Sequence, residues 1–285
     1  MSEQAVSTEK KQNFSKQEFI ALVLKDYRIA NESREASLLG RREVLSGKAK
    51  FGIFGDGKEL PQLAMAKVFE KGDFRSGYYR DQTFMFAVEN LTLQEWFAGL
   101  YGHTDQEAEP MSAGRQMGGH FGTRSLNADG TWKDLTQIKN SSADISPTGG
   151  QMPRLLGLAM ASKHFRQNPD IQKGAFQKFS NKGNEIAFGT IGDASTSEGL
   201  FWETINAAGV MQIPMLVSVW DDGHGISVPK KYQTTKESIS EILKGFQREA
   251  NGVGYEIFKT KGWDYAHLCE TYEKASKVCR EQHIP

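Results

Sequence analysis

Two apolar runs, each ending in an acidic turn, constrain this chain most. Residues 186–191 run into Gly192-Asp193-Ala194, and residues 214–220 run into Asp221-Asp222-Gly223, with a helical stretch between them. Short continuous apolar runs on either side of a helix read as buried parallel strands of a βαβ unit. Such a unit brings the carboxyl ends of both strands to one edge of the sheet. Asp193 and Asp222 are 29 residues apart, yet they are expected to converge on one ligand. Two carboxylates at strand ends beside Gly-containing turns suit a hard cation carrying a phosphate.

The remaining pattern fits an α/β protein, with a mostly parallel sheet, helices on both faces and a helical amino-terminal extension. The expected division is a tail and helical extension over 1–50 and one α/β domain over 51–285. The first 15 or so residues are polar and are expected to be disordered. Two helical segments follow to about Leu45, with Phe19, Leu22, Val23 and Tyr27 on one apolar face. Further helices are expected over 58–70, 81–89, 151–165 and 264–282, and after Thr92, a capping residue; a strand is expected over 255–258. Between 102 and 150 regular pattern fades while Gly, Ser, Thr and Asn accumulate, which marks a functional loop.

Charge and composition narrow the partners. Thirty-five Lys and Arg balance 35 Asp and Glu, so no basic footprint points to nucleic acid or an anionic membrane. No run of about 18 apolar residues exists to form a membrane-spanning helix. Residues 1–15 lack Arg and an apolar core and carry Glu3 and Glu9, so neither a secretory signal nor a mitochondrial transit peptide is expected. Cys269 and Cys279 fall ten residues apart in one helix, on different faces, where they cannot pair. A reducing, cytoplasmic setting is the expectation. A helix in an α/β alternation is normally followed by a strand, so the chain is expected to continue past Pro285.

Other segments add a resemblance. Tyr79-Arg80, the Gly114-Arg115 loop reaching His120, Ser-Pro-Thr-Gly-Gly-Gln-Met-Pro over 146–153, Asp-Ala-Ser-Thr-Ser-Glu-Gly over 193–199 and Gly-Ile-Ser over 225–227 follow in order. With the acidic turns they resemble the thiamine-diphosphate motif. Together they are similar to the alpha subunit, or alpha half of a fused alpha–beta chain, of the 2-oxo-acid dehydrogenase decarboxylating component. The branched-chain type is nearest. The resemblance implies thiamine diphosphate and Mg2+ as cofactors. Gly192, Asp193, Ala194 and Ser195 would form the diphosphate turn, and Asp193, Asp222 and the backbone carbonyl of His224 would ligate the metal. Tyr79 and Arg80 would grip the diphosphate, Ser146 and Thr148 would face the aminopyrimidine, and His120 would serve the thiazolium and substrate.

The resemblance also implies a 2-oxo-acid substrate, a beta subunit or half that carries the activating glutamate, and a lipoyl acyltransferase component. The chain alone is accordingly expected to be inactive. Four positions depart from the pattern: Ala194 replaces a glycine, Asp221-Asp222 replaces an Asn-Asn pair, and Trp220 stands where an Arg is common. The added carboxylate near a diphosphate requires an adjacent cation. Gly55-Asp56-Gly57 matches the motif letters better but follows no apolar strand, and Phe84, Met85 and Phe86, about 30 residues on, offer no side-chain oxygen. An acetoin dehydrogenase alpha part, a transketolase-like half and a scaffold that has lost the cofactor are the alternatives. For Asp193 the plain alternative is a helix cap.

Overall fold

The computed structural model describes residues 15–250 and 252–285; the disorder expected for residues 1–14 lies outside them. Helix α1, Lys16–Leu45, starts at Ser15, whose hydroxyl accepts from Glu18 N while the Glu18 carboxylate accepts from Ser15 N. The expected two segments are one helix. No proline interrupts it, and Gly40 is where it touches the domain: a Cβ there would lie 2.6 Å from Phe54 and 2.8 Å from Trp96. Packing thus offsets the usual cost of a helical glycine. The anticipated apolar face is solvent-facing instead, with Phe19 and Tyr27 56% and 67% exposed, and α1 docks through Ser33, Ala36, Ser37 and Gly40.

Helix α2 (Glu59–Lys67), strand β1 (Phe74–Ser76), helix α3 (Gln82–Ala87) and helix α4 (Leu93–Tyr101) come next. Thr92 and Glu95 form a reciprocal cap on α4. After the long irregular stretch come β2 (Asn140–Ser141), α5 (Gln151–Gln167), β3 (Ala187–Gly192), α6 (Gly199–Met211) and β4 (Met215–Trp220). A two-stranded ribbon, β5 (His224–Gly225) and β6 (Val228–Pro229), the short α7 (Ile239–Ile242) and α8 (Tyr265–Gln282) complete the described elements. The main sheet has the order β2-β1-β3-β4, and every pair in it is parallel. The strand expected over 255–258 does not form. Tyr255 makes one bridge to Gln247 and sends its hydroxyl to the Ile205 carbonyl on α6, 2.8 Å away.

Alternation along the strands divides the core. Ala187, Ile191 and Met215 pack with Leu155 of α5 and Phe201 of α6, whereas Phe188, Leu216 and Trp220 join Met65, Phe84 and Leu268 from α2, α3 and α8. Helices therefore cover both faces, as the apolar strand runs require.

Beneath the carboxyl edge lies a buried ion network. Arg75, fully buried on β1, donates from Nε to Asp81 (2.8 Å), from Nη1 and Nη2 to the two Asp144 oxygens (3.0 Å each), from Nη1 to Ser141 Oγ (2.8 Å) and from Nη2 to the Tyr78 carbonyl (3.0 Å). Burial alone would lower the guanidinium pKa, but Asp144 and Asp81 outweigh it. Arg75→Met would leave two carboxylates buried without a cation, lowering stability by about 3–5 kcal/mol in urea unfolding. Lys25→Met, which breaks the exposed Lys25–Glu89 pair, should change the midpoint little; equal effects of the two would show that the network does not hold the fold.

Candidate functional site

Every strand of the sheet delivers residues to its carboxyl edge, where ligands of open parallel sheets bind. Asp193 follows β3, and its N–H donates to the Trp220 carbonyl at 3.2 Å, locking the two acidic turns side by side. The Asp193 carbonyl accepts from Thr196 N, but its side chain caps nothing, so the helix-cap reading does not hold. Asp193 is 2% exposed. Burial pushes its carboxyl pKa up, and the charges of Asp221 and Asp222 push it further. The two turns thus converge as their spacing predicted, and at Asp193 they leave a deficit of positive charge.

Cations answer the other two carboxylates. Lys230 Nζ lies 2.9 Å from both oxygens of Asp221. Lys58, only 7% exposed at the start of α2, places Nζ 2.6 Å from Asp222 Oδ2, and Arg80 Nη1 stands 3.7 Å from the same oxygen. Burial raises the Asp222 pKa, but Lys58, the His224 N–H and Arg80 outweigh it and hold the carboxyl below its usual range. The sequence demanded a cation here without saying which. Lys58 lies 164 residues from Asp222 and looked like an ordinary helix-start lysine.

The Gly55-Asp56-Gly57 turn explains how Lys58 is aimed. A Cβ on Gly55 would lie 2.4 Å from the Arg80 carbonyl oxygen, so only glycine permits this approach. Asp56 pairs with Arg41 at 2.7 Å, and Gly57 N–H donates to the Glu59 carboxylate. Gln62 then ties the Arg80 carbonyl (2.9 Å) and the Phe84 N–H (2.9 Å) to α2.

Three buried donors at this edge have no protein partner: Arg80 Nε, the Tyr78 hydroxyl and Trp220 Nε1. Tyr78 is 5% exposed, and a Cβ built on Gly192 would lie 3.8 Å from its oxygen. Unpaired buried donors are costly, and three of them beside the acidic turns suit an anionic group. Tyr79 is half-buried, its ring 5.0 Å from that of Tyr78 and 5.8 Å from the Arg80 guanidinium. Tyr78 was not singled out from sequence; its twofold aromatic neighbourhood gave no signal.

His120 and Ser146, far apart in sequence, meet. His120 Nδ1 lies 2.9 Å from the Met117 carbonyl, and Nε2 lies 3.0 Å from Ser146 Oγ. A carbonyl only accepts, so Nδ1 carries the hydrogen, and in the neutral ring Nε2 accepts from Ser146. Ser146 and Thr148 are exposed, and the segment abuts the Ser195 turn: a Cβ on Gly149 would lie 3.1 Å from Glu198 Cβ. Ala194 packs against Gly225, a contact closed to any larger residue there. His224 is exposed, with Nδ1 3.5 Å from the Asp222 carbonyl. Among the described residues no three His, Cys, Asp or Glu side chains form a metal cage. A hard cation here would therefore draw on phosphate, backbone and water oxygens.

A cavity of about 840 Å3 opens beside Asp222 and Lys58 but extends along the outer edge of β4 under Tyr255 and Tyr272. Its depth lies away from Asp193 and His120, so the acidic turns mark the site and the cavity adjoins it.

Such an edge defines a parallel α/β domain whose strand ends gather carboxylates, cationic side chains and unpaired donors. The chain belongs to the dehydrogenase E1 component family, whose sequence model matches residues 34–285. It is 29% identical over 202 residues to the 2-oxoisovalerate dehydrogenase subunit alpha of Bacillus subtilis (strain 168), covering 70% of this chain and 51% of that one. It is 26% identical to the mitochondrial 2-oxoisovalerate dehydrogenase subunit alpha of Caenorhabditis elegans, covering 68% and 37%. It is 25% identical to the pyruvate dehydrogenase E1 component subunit alpha of Acholeplasma laidlawii, covering 77% and 51%. The chain thus spans about half the length, or less, of these curated relatives.

Glu109, unmarked in the sequence, holds the 109–114 loop. Its carboxylate accepts from Met111 N, Ser112 N, Ser112 Oγ and Gly114 N at 2.8–3.0 Å. Burial pushes its pKa up, but these bonds outweigh burial and hold it below the usual carboxylate range. A depressed folded-state pKa gives stability that is present above the unfolded value and lost as pH falls through the folded one. Glu109→Gln should lower stability by about 1–3 kcal/mol at neutral pH. The gap to wild type should narrow below about pH 4 in urea melts; a gap independent of pH would mean that the charge is not what holds the loop.

Proposed function

We propose that this chain is the alpha part of a thiamine-diphosphate-dependent 2-oxo-acid dehydrogenase, acting on a branched-chain 2-oxo acid. The observation that carries this reading is Asp193, buried at a strand end without a cation, beside unpaired donors from Arg80, Tyr78 and Trp220. A divalent cation would answer the first and a diphosphate the second. Family membership and the identities of the relatives support the same class, and the 29% identity to a 2-oxoisovalerate dehydrogenase subunit favours the branched substrate.

In this reading Asp193, the Asp222 carboxylate and the His224 backbone carbonyl hold Mg2+. The Gly192–Ser195 turn and Arg80, with Tyr79 or Tyr78 donating a hydroxyl, hold the diphosphate. Ser146 and Thr148 face the aminopyrimidine. His120 is oriented by Met117 and exchanges a proton through Nε2, the nitrogen now bonded to Ser146. Thiamine diphosphate, when bound, supplies the carbanion nucleophile and the electron sink for decarboxylation. The beta part of the enzyme and a lipoyl acyltransferase component are the proposed partners, and the acyl group passes to lipoyl.

Thermal unfolding with thiamine diphosphate, with and without magnesium and in the presence of the beta part, tests this. Ligand at 100 times its Kd should stabilise by about 2.7 kcal/mol. The shift should need magnesium and vanish in Asp193→Ala. A shift that survives that substitution, or that is indifferent to magnesium, would sink the assignment of the metal site.

A further inference from the structure

The acidic edge holds three carboxylates, Asp193, Asp221 and Asp222, and its cations are distributed unequally among them. Among the described residues ion pairs reach Asp221 and Asp222 but not Asp193. The Lys230–Asp221 pair is local, joining residues nine apart on either side of the β5–β6 ribbon. The Lys58–Asp222 pair differs: its ammonium is buried, comes from a distant element, and lies 2.6 Å from a carboxylate that also faces Arg80. The turn that delivers Lys58 is packed on the Arg80 carbonyl through Gly55, so both cations are carried by one rigid corner. Independent of this cluster, the Tyr78 hydroxyl is buried, unpartnered and beside Gly192, which marks the edge as made for a ligand.

We infer that Lys58 is a positioning residue of the cofactor site that works as a unit with Asp222, a role resting on the thiamine-diphosphate reading. Paired, the two contribute no net charge, so the second turn offers an oxygen ligand to the metal without a second uncompensated anion against the diphosphate. Without Lys58, Asp222 would be opposed only by Arg80 at 3.7 Å, and its charge would repel the diphosphate. The corner thus fixes Oδ2 of Asp222 with Lys58, while Oδ1 accepts from His224 N at 3.2 Å and keeps a lone pair for the site.

The test is a charge-swap cycle read by direct binding, on the chain assembled with its beta part, with two probes: magnesium thiamine diphosphate and magnesium pyrophosphate. Lys58→Met should weaken both probes at least about tenfold. Asp222→Asn, which keeps an oxygen, should bind as well as wild type or better. The double variant should return to within about threefold of wild type. Circular dichroism without ligand identifies any variant that has merely unfolded, and the double variant guards against misreading such a loss. Equal weakening in Lys58→Met and the double variant would overturn the pairing, and so would a loss in Asp222→Asn alone. Wild-type binding of thiamine diphosphate with all variants unchanged would overturn the Lys58 role and leave the cofactor reading intact. Binding of pyrophosphate but not thiamine diphosphate would overturn that reading, while the variant pattern still decides the pair. Failure of both probes would overturn both.

Discussion

The Arg75 guanidinium organises everything above it. Its bonds reach the start of α3 through Asp81, the end of β2 through Ser141, the long loop through Asp144, and the Tyr78 carbonyl. Asp81 also accepts from Thr190 on β3, so one cation joins three neighbouring strands just below their carboxyl ends. A planar fork with five donors can do this, whereas an ammonium cannot hold so many partners in fixed directions. Because Tyr79 and Arg80 lie between Tyr78 and Asp81, both held by this network, these two residues inherit their placement from a charge they never touch.

Above that floor the site is assembled by opposition of charge. Carboxylates come from β3 and β4, which the βαβ unit places together. Cations come from the α2 corner, from the turn after β1 and, for Asp221, from Lys230 just after β6. Neither group would be stable alone: three carboxylates repel, and a buried ammonium without a partner is costly. The arrangement therefore specifies itself, since each half is tolerable only when the other is in place.

How much of this was readable depended on whether the signal was local. Strands β3 and β4, buried on both faces, are continuous apolar runs, and their turns carried the acidic residues in plain view. The caps at Ser15, Thr92 and Asp264 are local hydrogen bonds written in neighbouring residues. Long-range contacts were invisible: Lys58 gains its meaning only from Asp222, and Arg75 only from Asp81 and Asp144. The continuity of α1 is not a purely local signal: at Gly40 the helix is supported by Phe54 and Trp96, which a propensity argument does not see. The 255–258 run has strand-like composition, but Tyr255 is drawn onto α6 instead. On α1 the apolar stripe at Phe19 and Tyr27 misled, because small residues further along make the contact.

The two acidic turns stand on strands of unequal mechanical support. β3 is hydrogen-bonded on both sides, whereas among the described residues β4 is paired on one side and its other edge borders the cavity. Asp193 is thus mounted on the stiff member of the pair and Asp222 on the compliant one. The bond from Lys58 crosses from the helical layer to the tip of that strand and acts as a guy-line for it.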